Sequence, residues 1–460
     1  MMMLREIAQA VGGELIGDDV SCQGVSTDSR SVTPGALFVA LRGDKFDGHA
    51  FVEVAREAGA AAAIVDRMAL TTTQAFGLPF VVVEDTRQAL GMMAAWWRAH
   101  FDIPVIGVTG SNGKTTTKEM IASILRVAFG DTVLATQGNF NNDIGLPLTM
   151  LRLNDTHCAA VIEMGMNHPG EIAALARIAR PNVAIVTNAQ RAHLEGMGTL
   201  ETIATEKGSV FMGLAKPGVA VINADDQWTG LWRTQAAGRD VMDFSFERGA
   251  AVIGQFAMHG LESHLQILTQ GRQVEVVLSI PGAHNARNAL AAATAALAAG
   301  VSLEAVREGL NNFHGVKGRL QRRAGRNGAT VLDDTYNANP DSVRAGIDVL
   351  AATVGQKILV LGDMGEIGDM TGQFHDEIGG YAKSQGLDRL LAIGDSSALA
   401  AHNFGVGGQH FATVGELVAA LVAEMTPETT VLIKGSRFMR MERVVAAVVA
   451  EGEALSEEKH

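Results

Sequence analysis

The sequence predicts an α/β protein of three domains, and three observations carry that expectation. Short β-branched runs recur along the chain, most closed by Gly, Asn, Asp or Thr and several followed by a helical pattern. That order builds largely parallel sheets covered on both faces. Glycine is frequent at 52 and proline scarce at 10, which suits tight strand-to-helix turns rather than Pro-rich linkers. At about 150 residues per domain, 460 residues give roughly three domains, each able to bury its own core.

In chain order, strands are expected at Phe80–Val83, Val105–Val108, Ala160–Glu163, Val183–Thr187, Val219–Asn223, Thr330–Asp333, Ile358–Leu361, Leu390–Ile393 and Thr430–Lys434. The stretch Val241–Ile280 departs from this order. Its alternating Val274, Val276 and Leu278 read as antiparallel strands added to an α/β domain. The Ala-rich run Ala289–Ala299 reads as a packed helix. Divisions are expected near 100, where His100–Pro104 enters a buried strand, and near 315, where the polar segment His314–Gly328 precedes a new strand. The resulting parts are 1–100, 101–315 and 316–460. The charged tail Glu451–His460 is expected to fray.

Composition excludes several classes of function. Hydrophobic residues are 47% and charged residues 19%, which rules against a long disordered chain. Lys plus Arg is 37 against 50 for Asp plus Glu, a formal balance of -13 that disfavours a nucleic-acid reader. An anionic ligand would therefore need cations concentrated locally. No stretch approaches about 18 uninterrupted apolar residues, and Arg5 and Glu6 stand where a signal peptide wants an apolar core. The expectation is a cytoplasmic, monomeric enzyme without membrane insertion. Cys22 and Cys158 are too few for a disulfide framework or a multi-thiolate zinc site, and both read as small buried apolar residues.

The strongest local signal runs from Pro104 to Lys118: a buried strand, the turn Gly110-Ser-Asn-Gly-Lys-Thr-Thr116, and a helix whose apolar face includes Met120, Ile121, Ile124 and Leu125. This is the context of a phosphate-binding loop. Backbone N–H groups of Gly110, Ser111, Asn112 and Gly113 and the helix N-terminus form an anion nest, and Lys114 adds a point charge. Thr115 can offer a hydroxyl to Mg2+, with Thr116 beside it. The G-x4-G-K-[ST] spacing is not met, since position 108 is Val. The core is instead Gly110-x-x-Gly113-Lys114-Thr115-Thr116.

Charge partners are expected elsewhere. Glu163 ends a strand, so its carboxylate emerges where α/β sites usually lie and can ligate a metal. Thr187-Asn188 ends the next strand, followed by His193 in a loop. Lys207 lies in a helical pattern over Thr202–Gly213. His284-Asn-Ala-Arg-Asn288 can cap the Ala-rich helix or offer amides to a purine edge. Taken singly, a strand-end Glu, a loop His and a helix Lys are ordinary surface features.

In combination they are not ordinary. Thr109-Gly-Ser-Asn-Gly-Lys-Thr-Thr116, Asn139-Phe-Asn-Asn-Asp-Ile-Gly-Leu-Pro147, Glu163-Met-Gly, Asn188 with Ala192-His193-Leu194, Asn223-Ala-Asp-Asp226, His284-Asn-Ala-Arg-Asn288 and Gly318-Arg319 occur in one order across almost the whole chain. The pattern resembles the Mur ligase family, ATP-dependent amide ligases of peptidoglycan precursor synthesis. The N-terminal Ser26-Thr-Asp-Ser-Arg30, Gly35-Ala-Leu-Phe38 and Phe46-Asp-Gly-His-Ala-Phe51 look like a UDP-sugar-binding domain of that family. Asp333-Asp-Thr-Tyr-Asn-Ala-Asn-Pro-Asp-Ser342, Leu361-Gly-Asp-Met364 and Lys434-Gly-Ser-Arg437 look like the branch that adds D-alanyl-D-alanine to UDP-N-acetylmuramoyl-tripeptide. The diaminopimelate-adding branch is expected to carry Asp-Asn-Pro-Arg, which is absent from the sequence.

The resemblance implies an N-terminal UDP-sugar-binding α/β domain, a central P-loop domain with extra antiparallel strands, and a C-terminal Rossmann-like domain that binds the acceptor dipeptide. It implies ATP and Mg2+, with Thr115 and Glu163 as magnesium ligands and His193 near a second magnesium. Lys207 matches a lysine that reacts with CO2 to give a carbamate, a cation turned into an anionic ligand. Ser209 stands where an acidic residue is expected. Lys114, Lys207, His193 and Glu163 are the implied catalytic set, and Gly110 to Thr116 hold phosphates. Asn288 is implied as the adenine contact, Arg319 as a phosphate contact and Asp334 as the ribose contact. Ser29, Arg30, Asp47, Gly48 and His49 are implied for the UDP-sugar, and Tyr336, Asn337 and Asn339 for the dipeptide. Another ligase of the superfamily, diaminopimelate-adding or folylpolyglutamate type, is the competing enzyme. A P-loop switch using ATP for conformational work is the competing class.

Overall fold

A computed structural model describes residues 2–43, 46–69, 77–247 and 249–450. The expected fraying of 451–460 lies outside the described residues. The central element is a nine-stranded sheet in the order Arg272–Leu278, Glu262–Thr269, Val252–His259, Asp240–Ser245, Val219–Asn223, Val183–Val186, Val105–Thr109, Ala159–Glu163, Val133–Ala135. A five-stranded sheet (residues 14–83) precedes it and a six-stranded sheet (residues 321–434) follows, each parallel except for one antiparallel edge strand.

Every strand expected from the sequence is present, with ends shifted by at most two residues. One expectation is corrected. Asp240–Ser245 pairs parallel with both Val219–Asn223 and Val252–His259, so antiparallel pairing begins only between Val252–His259 and Glu262–Thr269. The alternation that suggested antiparallel strands belongs to the hairpin 262–278, which has one wet face; Asp240–Ser245 simply extends the buried sheet. The expected Ala-rich helix spans Ala283–Ala298.

Alternation along the buried strands divides the interior into two layers. Val105, Ala160, Ile162, Ala184 and Val186 face one cluster that runs on through Met2, Leu90 and Trp232. Ile106, Val108, Val161 and Ile185 face the other, packed under Ile121, Ile124 and Leu290 from the covering helices. Truncating a buried Ile or Leu of either layer to Ala costs about 2–5 kcal/mol. The helix Thr86–Arg98 joins the first cluster and is pinned at its end: Trp97 Nε1 donates to Leu153 O at 2.9 Å and Arg98 Nε to Ala179 O at 3.1 Å.

This scaffold places chemistry at strand ends. Thr109, Glu163, Asn223 and the Thr187-Asn188 pair stand at the carboxyl ends of four adjacent parallel strands. Asp334 and Lys434 end two adjacent strands of the third domain, across a shared cleft. Cys22 is buried as expected, but Cys158 is exposed. It precedes the strand Ala159–Glu163, at the rim where the chain has not yet entered the sheet.

Candidate active site

The phosphate loop is built by its glycines. Gly110 has φ 149° and Gly113 has φ 79°, and a Cβ on either would collide with Thr187 Oγ1 or Asn288 Oδ1 respectively. Only Gly allows both the backbone angle and the close approach. The loop is cross-braced by the next strand end: Asn112 N donates to Asn188 Oδ1 at 2.9 Å, while Thr187 Oγ1 and Asn188 Nδ2 donate to Asn112 O at 2.7 and 3.0 Å. Lys114 Nζ curls back onto the carbonyls of Gly110 and Ser111 at 2.8 and 3.2 Å. Burial lowers its pKa, Glu163 opposes that shift and Arg319 adds to it.

Ser111 to Thr116, Glu163, His193, Arg319 and the segment Tyr336–Asn339 line one cleft of about 350 Å³. A second, of about 260 Å³, is lined by Asn112, Gly113, Thr116, Asn288, Arg319 and Asp334. The structure therefore gathers nearly all of the expected nucleotide residues around two lobes of one opening. Asn288 Nδ2 donates to Asn285 Oδ1 at 3.3 Å. Asp334 is already engaged, since Leu320 N donates to Oδ1 at 3.2 Å and Lys434 Nζ to Oδ2 at 2.6 Å. The Arg319 guanidinium covers the Tyr336 ring at 4.1 Å, and its Nε is buried without a hydrogen-bond partner.

Glu163 is 2% exposed. Asn141 Nδ2 donates to its Oε1 at 2.8 Å, its own N–H donates to Thr136 Oγ1 at 3.0 Å, and Oε2 is buried with no partner. A buried carboxylate oxygen without a donor, beside a threonine hydroxyl and the phosphate loop, suits a hard cation such as Mg2+. His193 is drawn elsewhere: its Nδ1 lies 3.0 Å from Glu366 Oε2 of the third domain, and this contact holds the Glu366 carboxyl below its usual range. Among the described residues no three His, Cys, Asp or Glu side chains converge into a metal cluster.

Lys207 does not line the cleft. It is wholly buried on the helix Leu200–Gly208, and burial first and Lys114 second push its pKa well below the ordinary lysine value. Its acidic neighbour is Glu206, whose carboxylate accepts from Gly170 N and Ile172 N, both at 2.8 Å, at the start of the helix Glu171–Ala179. Ser209 Oγ donates to Glu206 O at 2.5 Å, so the position expected to be acidic serves the local turn.

A larger cleft of about 1150 Å³ opens between the first domain and the central one, lined by Ser26, Thr27, Asp28, Ser31, Phe140 and Asn142 among others. Ser29 and Arg30 lie on the adjoining turn Ser29–Ser31 and are not part of that wall; the Arg30 side chain is 88% exposed and paired with Asp28 at 2.7 Å. Asp47, Gly48 and His49 form a separate, internally satisfied cluster. His49 Nδ1 lies 2.6 Å from Asp47 Oδ1, its Nε2 accepts from Asp66 N at 3.0 Å, and Arg42 bridges Asp47 and Asp66. Asn337 O accepts from Lys434 Nζ at 2.8 Å, and Asn339 Oδ1 caps the helix Pro340–Ala351.

Sequence reasoning missed Gln190, Arg191, Glu366, Arg440 and the functional use of Asn141 and Arg437. Asn141 and Arg437 stood inside quoted motifs without a role. Gln190, Arg191 and Glu366 carry no local signal, because their partners are remote in sequence, and Arg440 lies outside every quoted motif. Glu366 and Arg437 continue the first cleft into a further hollow of about 460 Å³, lined also by Asn337, Phe438 and Arg440.

The chain matches the Mur ligase family catalytic domain over residues 21–98, the Mur ligase middle domain over 108–296 and the Mur ligase glutamate ligase domain over 318–437. It is 42% identical over 455 residues to the UDP-N-acetylmuramoyl-tripeptide--D-alanyl-D-alanine ligase of Escherichia coli, spanning 98% of both chains. Its structure is similar to a crystal structure of MurF from Acinetobacter baumannii, with TM-score 0.89 and 35% identity over 96% of this chain and 97% of that one. It is also similar to MurF ligase from Thermotoga maritima in complex with ADP, with TM-score 0.81 and 27% identity over 95% and 98% of the two chains.

Proposed function

From the premise that the chain belongs to the Mur ligase family, we propose that it joins D-alanyl-D-alanine to UDP-N-acetylmuramoyl-tripeptide with ATP, in the synthesis of peptidoglycan precursors. The observation that carries the reading is the continuity of the clefts. The cleft beside the first domain shares Asn139 and Asn142 with the phosphate-loop cleft, which shares Asn337, Glu366 and Arg437 with the hollow on the third domain. One path thus runs from a donor site, past the phosphates, to an acceptor site. We assign 1–100 to the UDP-sugar, 101–315 to ATP and 316–460 to the dipeptide.

The substrate carboxylate attacks the γ-phosphorus, ADP departs, and the dipeptide amine attacks the activated carbonyl with loss of phosphate. A free carboxylate acylates poorly at neutral pH, so phosphorylation supplies the leaving group. The residues mainly position groups and neutralise charge. Lys114 and Arg319 line the phosphate-loop cleft and would meet the phosphates there, which answers the need for local cations in a chain of net charge -13. Thr115 and Glu163 would hold Mg2+, which when bound neutralises charge on phosphate oxygens.

Lys207 is suited to carbamate formation because only a neutral amine attacks CO2, and burial favours the neutral amine. His193 is assigned to the pair with Glu366, at the seam between the central and third domains. Arg437 and Arg440 suit the dipeptide carboxylate, and the exposed Phe438 its methyl groups. Among the described residues no helix is long and apolar enough to cross a membrane.

Mass spectrometry of a reaction containing UDP-tripeptide, ATP and D-alanyl-D-alanine is expected to show the pentapeptide product with one ADP per amide. ADP without amide, or an amide formed with glutamate or diaminopimelate in place of the dipeptide, overturns the assignment.

A further inference from the structure

Gln190 and Arg191 follow the strand Val183–Val186 in a loop that touches both the phosphate loop and the third domain. On one side, Gln190 N donates to Ser111 Oγ at 2.9 Å, Gln190 O accepts from Ser111 Oγ at 3.1 Å, and Gln190 Oε1 accepts from Asn112 Nδ2 at 2.7 Å. On the other, Arg191 grips Asp341. Its main-chain N–H donates to Oδ2 at 2.9 Å, Nε to Oδ1 at 3.1 Å and Nη2 to Oδ1 at 2.6 Å. Nη1 lies 3.6 Å from Glu377 Oε2, and the guanidinium covers the Phe374 ring at 5.3 Å. Asp341 lies in the first turn of the helix Pro340–Ala351, whose capping Asn339 also donates from Nδ2 to Asn112 Oδ1 at 2.8 Å.

We propose that Arg191 is a positioning residue that seats the acceptor-bearing third domain against the phosphate loop. Asp341 follows the segment Tyr336–Asn339 with only Pro340 between, so a fixed Asp341 fixes the distance between that segment and the loop residues Ser111 and Asn112. An exposed ion pair between mobile side chains would do little. This pair is different: the side chains are 23% and 21% exposed, the fork is bidentate, a main-chain donor completes it and an aromatic ring shields it. A lysine supplies one point charge in place of the fork, so the geometry asks for Arg.

The proposal rests on the ligase reading above, and its test separates the two. Arg191→Ala, Arg191→Lys, Asp341→Arg and the exchange Arg191→Asp with Asp341→Arg are compared in the full chain. Steady-state kinetics is expected to show the KM for D-alanyl-D-alanine raised about tenfold by Arg191→Ala, with the KM for UDP-tripeptide within about twofold of wild type. Arg191→Lys is expected to fall between, and the exchange to recover most of the loss seen in Asp341→Arg alone. Small-angle scattering of the ligand-free proteins is expected to show a larger radius of gyration for both single charge changes and a return toward wild type in the exchange. This arm requires no turnover, so it judges the seating even if wild type forms no such amide, an outcome that would sink the ligase reading instead. An unchanged dipeptide KM in Arg191→Ala, or an unchanged radius in a charge reversal that remains folded by circular dichroism, overturns the proposal. So does an exchange that is folded yet no better than Asp341→Arg alone.

Discussion

Replacing Glu163 by Gln should make the protein more stable and less active at once. Oε1 keeps the geometry of its bond from Asn141, so an amide of the same shape fits. Oε2, in contrast, is a buried anionic oxygen with no donor, on a side chain only 2% exposed. An unsatisfied buried polar atom costs about 1–3 kcal/mol and more when charged, whereas the neutral amide keeps an unpaired group but loses the charge. A net gain of about 1 kcal/mol is the conservative figure, equivalent to about 2–4 °C in Tm for a domain of this size. The assay is thermal unfolding in chelator, repeated with Mg2+ and a non-hydrolysable ATP analogue. Wild type should gain about 2.7 kcal/mol at a hundredfold excess over Kd and the variant much less. Turnover should fall by about 10²–10³, the usual cost of losing a charge-stabilising group. A variant less stable than wild type in chelator, or one stabilised equally by the magnesium nucleotide, would refute the reasoning.

Lys207→Met should also be more stable than wild type near neutral pH in CO2-free buffer. The folded-state pKa is lowered, so the unfolded chain binds the extra proton below the ordinary lysine value of 10.5 and wild-type stability rises as pH climbs toward it. The variant should lose that slope, and Lys207→Ala should regain some turnover with formate, whereas full activity in Lys207→Arg would rule out a carbamate. His284 has its pKa lowered to about 4 by burial, so stability should fall as pH drops from 6.5, by at most about 3 kcal/mol. His284→Gln should flatten urea midpoints over that range, and parallel profiles would count against it. Burial pushes the Cys22 thiol up to about 11 while Cys158 is exposed, so one thiol per native chain should react quickly with a maleimide and both after unfolding. Rapid native labelling of Cys22 would contradict the packing described.

What could be read from the sequence divides along a physical line. Strands such as Val105–Thr109 and Thr429–Lys434 are legible because both faces are buried and their residues are β-branched. Ala62–Asp66 was missed: it opens on alanines, which carry no preference for a strand. The phosphate loop is legible because its requirements are local, a backbone angle and a lysine within a few residues. The contacts of His193 with Glu366 and Arg191 with Asp341 join residues far apart in sequence, and nothing near either partner announces them. His49 shows the converse. Its motif was legible as a unit, yet the ring serves to tie its own loop to Asp66.

The two unpartnered atoms in the phosphate-loop cleft bear on why this acidic chain keeps such a site. Glu163 Oε2 is an anion without a donor and Arg319 Nε a cationic donor without an acceptor, and both lie close enough to Lys114 to shift its pKa. Folding alone would favour pairing them, because each buried unmet group is a cost. They are carried instead on different domains, Glu163 at a central strand end and Arg319 just before the strand Gln321–Ala324. Opposite demands held apart in one cleft are complementary to a ligand that is itself a pair, a metal cation bound to a phosphate anion. Were a magnesium nucleotide to bind between them, the anion-seeking half would come from the third domain, so nucleotide binding and the seating of that domain would draw on the same groups, and an acceptor held on that domain would meet a site the phosphates help to complete.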